Sequence, residues 1–321
     1  MKKQGLFVIW KNLHSKQKKV LFTLSFVIPI LIWSAISYIP FLWHPMIMIT
    51  DAGDVSFFKK EMLVDKEVFY SQNKMMESKG LIKAEGYRAN PIYLPAPHKV
   101  AESMVNSFTT PPRRADEPWL HESLMHSINV IFWGFFLSSI FGVPLGIMCG
   151  TYKFFSHLIE PFVEYFRYLP APVFGALAVA ILGINDGPKI AIIFIGTFFQ
   201  QVLVIANTTR KLDVNLIEAS QTLGAKRLTI VKTVVIPGIL PDLYRDMRIL
   251  LGWAWTYLIV AEVIGTSTGI TWFINQQAKY RNFEQVFAAI LILGFIGVIS
   301  DQILALIGRR LFHWESIDKK I

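Results

Sequence analysis

Apolar residues gather into six long runs: 20–43, 122–151, 158–182, 189–209, 240–265 and 284–308. Each is near or above the roughly 20 residues that a helix needs to cross a bilayer. The first follows Lys2, Lys3, Lys11, Lys16, Lys18 and Lys19, with no acid among them. A secretory leader also starts basic, but its apolar core is only about 7–15 residues and ends at small residues. This run is longer and ends in Phe41-Leu42-Trp43, so it reads as a retained span, kinked at Pro29. The lysines place residues 1–19 in the cytoplasm.

Residues 44–119 are polar and mixed in charge, and are expected outside the membrane. Within them Phe57–Lys79 has the spacing of one or two amphipathic helices. Two readings stand for this segment: a solvated loop, or a docking surface for a partner. In the second run Gly134, Ser138, Gly142, Gly146 and Gly150 recur every four residues. Such a stripe lets helices approach closely, either within one subunit or between two. Glu160, Pro161, Glu164, Arg167, Pro170 and Pro172 interrupt the third run. At membrane depth they must be buried in protein or face water, and Arg167 can attract an anion or pair with Glu164 or Glu160. Gln200 and Gln201 sit in the fourth run, where amides bridge helices or line a polar path. The fifth starts with Asp242, Arg245, Asp246 and Arg248 and continues through Trp253, Trp255, Thr256 and Tyr257 to Glu262. Glu262 either serves function or ties helix ends. Arg309, Arg310, Lys319 and Lys320 follow the sixth run. Six crossings put both termini, and the segment between runs four and five, on the cytoplasmic side.

Composition agrees with a membrane protein: 53% hydrophobic residues, 17% charged, and a mean hydropathy of +0.43. The net charge of +9 does not point to nucleic acid, because the basic residues flank apolar runs instead of sharing a polar domain with aromatics. Cys149 is the single cysteine, so no internal disulfide can form. His121, Glu122 and His126 do not make a zinc motif, since the histidines are five apart and HExxH needs four. No G-x-x-x-x-G-K-[ST] loop is present to cradle ATP phosphates.

The segment between runs four and five carries the most specific signal. Asp213 or Asn215 can cap a short helix that Gly224 ends through a left-handed turn, and Pro237 stops a second one. The pattern Glu218-Ala219-Ser220, then Gly224, then Val234, Ile236 and Pro237 resembles the EAA loop of bacterial ABC importer permeases. Ser220, Val234 and Ile236 depart mildly from that family's usual Ala, Ile and Leu. Leu94-Pro95-Ala96-Pro97 resembles the family's Leu-Pro-x-Pro element, which makes 44–92 an insertion. Glu164 to Pro172, and Arg248 to Ile264 with Gly252, Trp255 and Glu262, are similar to segments of its nitrate, sulfonate, taurine and bicarbonate branch, with Tyr168 in place of a usual proline.

The resemblance implies an all-α integral membrane protein of six transmembrane helices in the type I ABC importer permease fold. Residues 120–308 would be a five-helix core with the coupling loop at 213–237, and 309–321 a cytoplasmic tail. It implies a second copy of the chain, ABC ATPase subunits gripping Glu218, Ala219, Ser220, Gly224 and Pro237, a periplasmic solute-binding protein, and surrounding lipid. It implies no cofactor, no catalysis by this chain, and a bacterial inner-membrane location. The solute would be a small oxyanion, or alternatively a thiamine precursor or other small nitrogenous compound. Candidates for the path are Arg167, Gln200, Gln201, Trp253, Trp255, Thr256 and Glu262. An ATP-independent secondary transporter and a membrane receptor are the readings from other classes; neither accounts for the EAA-like loop.

Overall fold

The computed structural model describes residues 14–39, 41–112, 114, 117–264 and 268–314. Lys2, Lys3, Lys11, Lys319 and Lys320 lie outside the described residues. The chain divides into two compact units, one of residues up to Asn106 with Gln277–Ala288, the other of Ser107–Gln276 with the residues from Ala289 onward.

In the first unit α1 (Ser15–Tyr38) is apolar all round and largely exposed, as a lipid-facing helix is. Its far end is tied to the Leu94–Pro97 element. The Trp33 indole N–H donates to the Pro95 carbonyl (3.1 Å), and Asn90 Nδ2 donates to the Ser37 carbonyl (2.7 Å). Pro97 then starts α3 (Pro97–Thr109), a position where its missing N–H costs nothing.

The insertion is more than amphipathic helix. Strands β1 (Met46–Asp51), β2 (Leu63–Asp65) and β3 (Glu85–Ala89) form an antiparallel sheet in the order β2-β1-β3, with Ile47 opposite Val64 and Arg88. One helix, α2 (Lys66–Ser78), packs on it, capped by Asp65, whose carboxylate accepts the Glu67 N–H (2.9 Å). Ile47 and Ile49 alternate inward and meet Phe58, Val64, Phe69 and Met76 in a core of their own. Of the one or two amphipathic helices expected in 57–79 one forms, α2, and the sheet centred on β1 was not foreseen. Its run Met-Ile-Met-Ile hides its period of two, because the outward residues are apolar as well.

In the second unit α4 (Leu120–Thr151) and α7 (Gly187–Arg210) pack along their whole lengths. The small-residue stripe is the contact. A Cβ at Gly134 would lie 2.7 Å from Ile193 Cβ, at Gly142 2.8 Å from Gln201 Oε1, and at Gly146 2.8 Å from Ile205 Cβ. Close packing within one subunit therefore uses the stripe. Between these helices come α5 (Lys153–Arg167), a 3₁₀ turn (Ala171–Phe174) and α6 (Gly175–Leu182). After α7 come α8 (Val214–Thr222), α9 (Arg227–Ile230), a π-turn (Val231–Val235) and α10 (Ile236–Val263). α11 (Ile270–Lys279) and α12 (Phe283–Leu311) close the chain.

The expected count of six spans is not met. Among the described residues four helices are long and apolar enough to cross a membrane: α1, α4, α7 and α12. A fifth exists only if the pair 153–167 and 171–182, bent by 87°, is one broken span. Pro170 and Pro172 force that bend. α10, expected as the fifth crossing, does not qualify, because Asp242, Arg245, Asp246 and Arg248 occupy its first half and Glu262 its end. The argument from six crossings for the sidedness of both termini falls with that count.

Candidate functional site

The segment 213–237 is built by local rules. Asp213 caps α8 through its carboxylate, which accepts the Asn215 N–H (3.0 Å). The far end closes in a Schellman motif. The Ala225 N–H donates to the Ser220 carbonyl (3.1 Å) and the Gly224 N–H to the Gln221 carbonyl (2.9 Å), with Gly224 at φ +76°. No residue of α8 is buried. Glu218 and Ala219 are exposed, and Ser220 Oγ bonds back to the Leu216 carbonyl (2.7 Å). Leu223 is 87% exposed and Leu216 50%. Pro237 lies in the first turn of α10, where its lack of an N–H is tolerated. Beneath α8, Val214 and Ile217 line a cavity of about 280 Å³ with Cys149, Lys153, Arg210 and Val235.

At this end of the bundle Arg210 is the hub. Its guanidinium pairs with Glu160 and donates to Ser156 Oγ (3.0 Å), to the Cys149 carbonyl (3.4 Å) and to Asn207 Oδ1 (3.1 Å). Glu160 is thus taken, and Arg167 bonds elsewhere: it donates to the Tyr168 hydroxyl (2.9 Å) and lies over that ring. The expected pairing of Arg167 with Glu160 or Glu164 gives way to this contact with the residue that departs from the family pattern. Arg248 forms a bidentate pair with Asp301 (2.8 and 2.9 Å), and Thr208 Oγ1 donates to Asp246 (2.5 Å). Two of the charges at the start of α10 are thereby satisfied within the protein.

The other end of α4 and α7 carries a second polar cluster. Glu262, 2% exposed, accepts from Ser127 Oγ and from the Thr271 N–H (2.7 Å). Ser127 Oγ in turn accepts the Ile270 N–H (2.8 Å). Lys189 is fully buried; its Nζ donates to Thr268 Oγ1 (2.8 Å) and pairs with Asp186 (3.2 Å). His126 Nε2 meets the other Asp186 oxygen at 2.9 Å. Partial burial alone would raise the Asp186 carboxyl, but hydrogen bonds from Lys189 and His126, with their charges, outweigh it and hold it below the usual carboxylate range. Lys189, Asp186 and Ser127 escaped the reading of the sequence, and His126 was weighed there only as a metal ligand. The signal present there was the acid–base pair Asp186 and Lys189 three apart at a helix start.

The seven path candidates do not converge. Gln201 is buried, accepting from Ser138 Oγ (2.9 Å) and donating to Ser139 Oγ (3.3 Å), so it bridges α4 and α7. Gln200 and Trp255 are half-buried. Gly252, Trp253 and Thr256 share one exposed face of α10 with Ile249 and Ile259. Arg167 stands exposed at the end of α5. Glu262 faces the protein interior.

Known proteins resemble the chain in sequence and in fold. The chain is 33% identical over 189 residues to the "Probable ABC transporter permease protein" of Brucella abortus (strain 2308), covering 59% of this chain and 76% of that one. It is 27% identical over 225 residues to the taurine transport system permease protein TauC of Escherichia coli (strain K12), covering 70% and 81%. Its fold matches a chain of the inward-facing MetNI methionine ABC transporter with a TM-score of 0.52 at 21% identity, over 60% of this chain and 94% of that one. Residues 142–313, more than half the chain, match the family described as binding-protein-dependent transport system inner membrane component. The chain therefore belongs to that family, as a multi-pass membrane permease subunit of an ABC importer and not its ATPase.

Proposed function

We propose that this permease passes a small oxyanion, such as a sulfonate like taurine, nitrate or bicarbonate, from a solute-binding protein into the cytoplasm. Two copies would work with two ATPase subunits, each gripping α8. The observation that carries the coupling role is the state of α8 itself. A nine-residue helix is too short to hold its shape alone. This one has no buried residue, yet both ends are capped, and it presents Glu218 beside the exposed Leu216 and Leu223. Such a preformed, uncovered knob suits a socket on another protein. Arg210, Lys211, Lys226, Arg227 and Lys232 flank it along the chain, which favours the cytoplasmic side.

Energy would enter there from a partner, since the chain has no G-x-x-x-x-G-K-[ST] loop of its own. Closure of the ATPase would move α8, and through the π-turn and α10 would shift the bundle between two arrangements. The exposed face of α10 with Trp253 and Thr256 would then line the path. The solute class is supported by the taurine relative and by the branch-like segments at Glu164–Pro172 and Arg248–Ile264. Gly224→Asp tests the coupling role. A side chain at φ +76° strains the cap, so uptake by the reconstituted complex should fall while the amount of protein in the membrane is unchanged. Undiminished uptake refutes the role. Thermal shifts of the partner binding protein with taurine, nitrate, bicarbonate and thiamine precursors test the solute, and stabilisation by the thiamine precursors alone rules out the oxyanion.

A further inference from the structure

We propose that Lys189 and Glu262 are positioning residues that clasp residues 268–271 against α4 and α7, and that release of this clasp opens the outer end of the permease to solute. The proposal rests on the importer reading above. Three of four consecutive residues are held by groups from three other helices, and the fourth, Gly269, packs against one of those groups. Lys189 Nζ donates to Thr268 Oγ1 (2.8 Å) and to its carbonyl (3.3 Å). Gly269, at φ +103°, lies so close to the Glu262 carboxylate that any side chain there would collide with it. The Ile270 N–H donates to Ser127 Oγ and the Thr271 N–H to Glu262 Oε2. These two N–H groups open α11, where a helix cannot satisfy them itself, so the helix is capped from outside by α4 and α10. The Glu262 charge also meets the positive end of that helix.

The arrangement is two-state by its chemistry. Lys189 is fully buried and Glu262 2% exposed. A small separation would strand both charges and two helix N–H groups with neither partner nor water, which is costly. The stable alternatives are a closed clasp with every group paired, or one open far enough for water to replace the partners. Asp186, with 40% of its side chain exposed and already bonded to both Lys189 and His126, marks the rim where that water enters. Along their middle α4 and α7 are joined by glycine contacts and by the neutral bridge of Gln201 with Ser138 and Ser139, which need no such charges.

The test uses the assembled complex in proteoliposomes carrying Lys189→Met or Glu262→Gln. ATP hydrolysis is measured with and without the binding protein, and amide exchange is followed at 268–273. In both variants hydrolysis without the binding protein should rise about tenfold or more, as expected when charge-assisted hydrogen bonds are removed from the closed state. Exchange at 268–273 should quicken by a similar factor while 197–206 in α7 stays protected. Unchanged hydrolysis, or exchange that quickens equally along α7, overturns the clasp. A wild-type complex that shows no ATP-driven uptake instead overturns the importer reading beneath it.

Discussion

Replacing Gly146 by alanine adds one methyl group where α4 and α7 touch. The new Cβ would lie 2.8 Å from Ile205 Cβ and 2.9 Å from the Val202 carbonyl oxygen, against 3.4–4 Å for ordinary contact. Neither neighbour is the free end of a flexible side chain, so the helices must part locally. Overpacking of this kind costs about 1–3 kcal/mol. Alanine recovers about 0.5–1 kcal/mol through the backbone entropy that glycine loses in a helix. The net loss is about 1 kcal/mol, roughly a fivefold change in the ratio of folded to unfolded protein. Gly294 in α12 supplies the control, because a Cβ there meets nothing within 4 Å. Gly294→Ala should be neutral or stabilising by up to about 1 kcal/mol. Thermal unfolding of the purified variants in one detergent reads both signs together. Gly146→Ala as stable as wild type, or Gly294→Ala the less stable of the two, would refute the close α4–α7 contact.

Two further outcomes follow from single sites. Phe69→Ala empties the core of the inserted sheet and helix, where Phe69 is 6% exposed and stacks on Phe58; at a cost of about 3–5 kcal/mol it should expose residues 44–92 to limited proteolysis while leaving α4 and α7 intact, and unchanged cleavage would show that this core does not hold the segment. Asp186→Asn removes a carboxylate held below its usual range by Lys189 and His126; the stability it supplies is fully present above the ordinary carboxylate value and is lost as pH falls through the lowered one, so wild type should lose this part below about pH 4, and a variant with the same acid-unfolding profile would deny the contribution.

The features legible in the sequence were those that depend on neighbours along the chain. The apolar runs, the four-residue stripe from Gly134 to Gly150 and the caps at Asp213 and Gly224 are of this kind, because period and local hydrogen bonding are set within a few residues. The EAA-like segment was legible in part for the same reason: Gly224 marks a turn whose backbone angle its residue type demands, whereas Pro237, expected to stop a helix, stands in the first turn of α10. The span count was not, since it depends on whether charges find partners. Arg248 finds Asp301, 53 residues away, and Asp246 accepts from Thr208, 38 residues away. The sheet at 46–89 depended on a pairing in which only one face of β1 is covered, and a run of apolar residues cannot say which. Lys189 shows the division most sharply. In the sequence it is a cation at the boundary of an apolar run, and such a residue is expected to reach water. Only the fold brings Thr268 to it from 79 residues away and sets Asp186 beside it, so that its ammonium can be buried with its hydrogen bonds made.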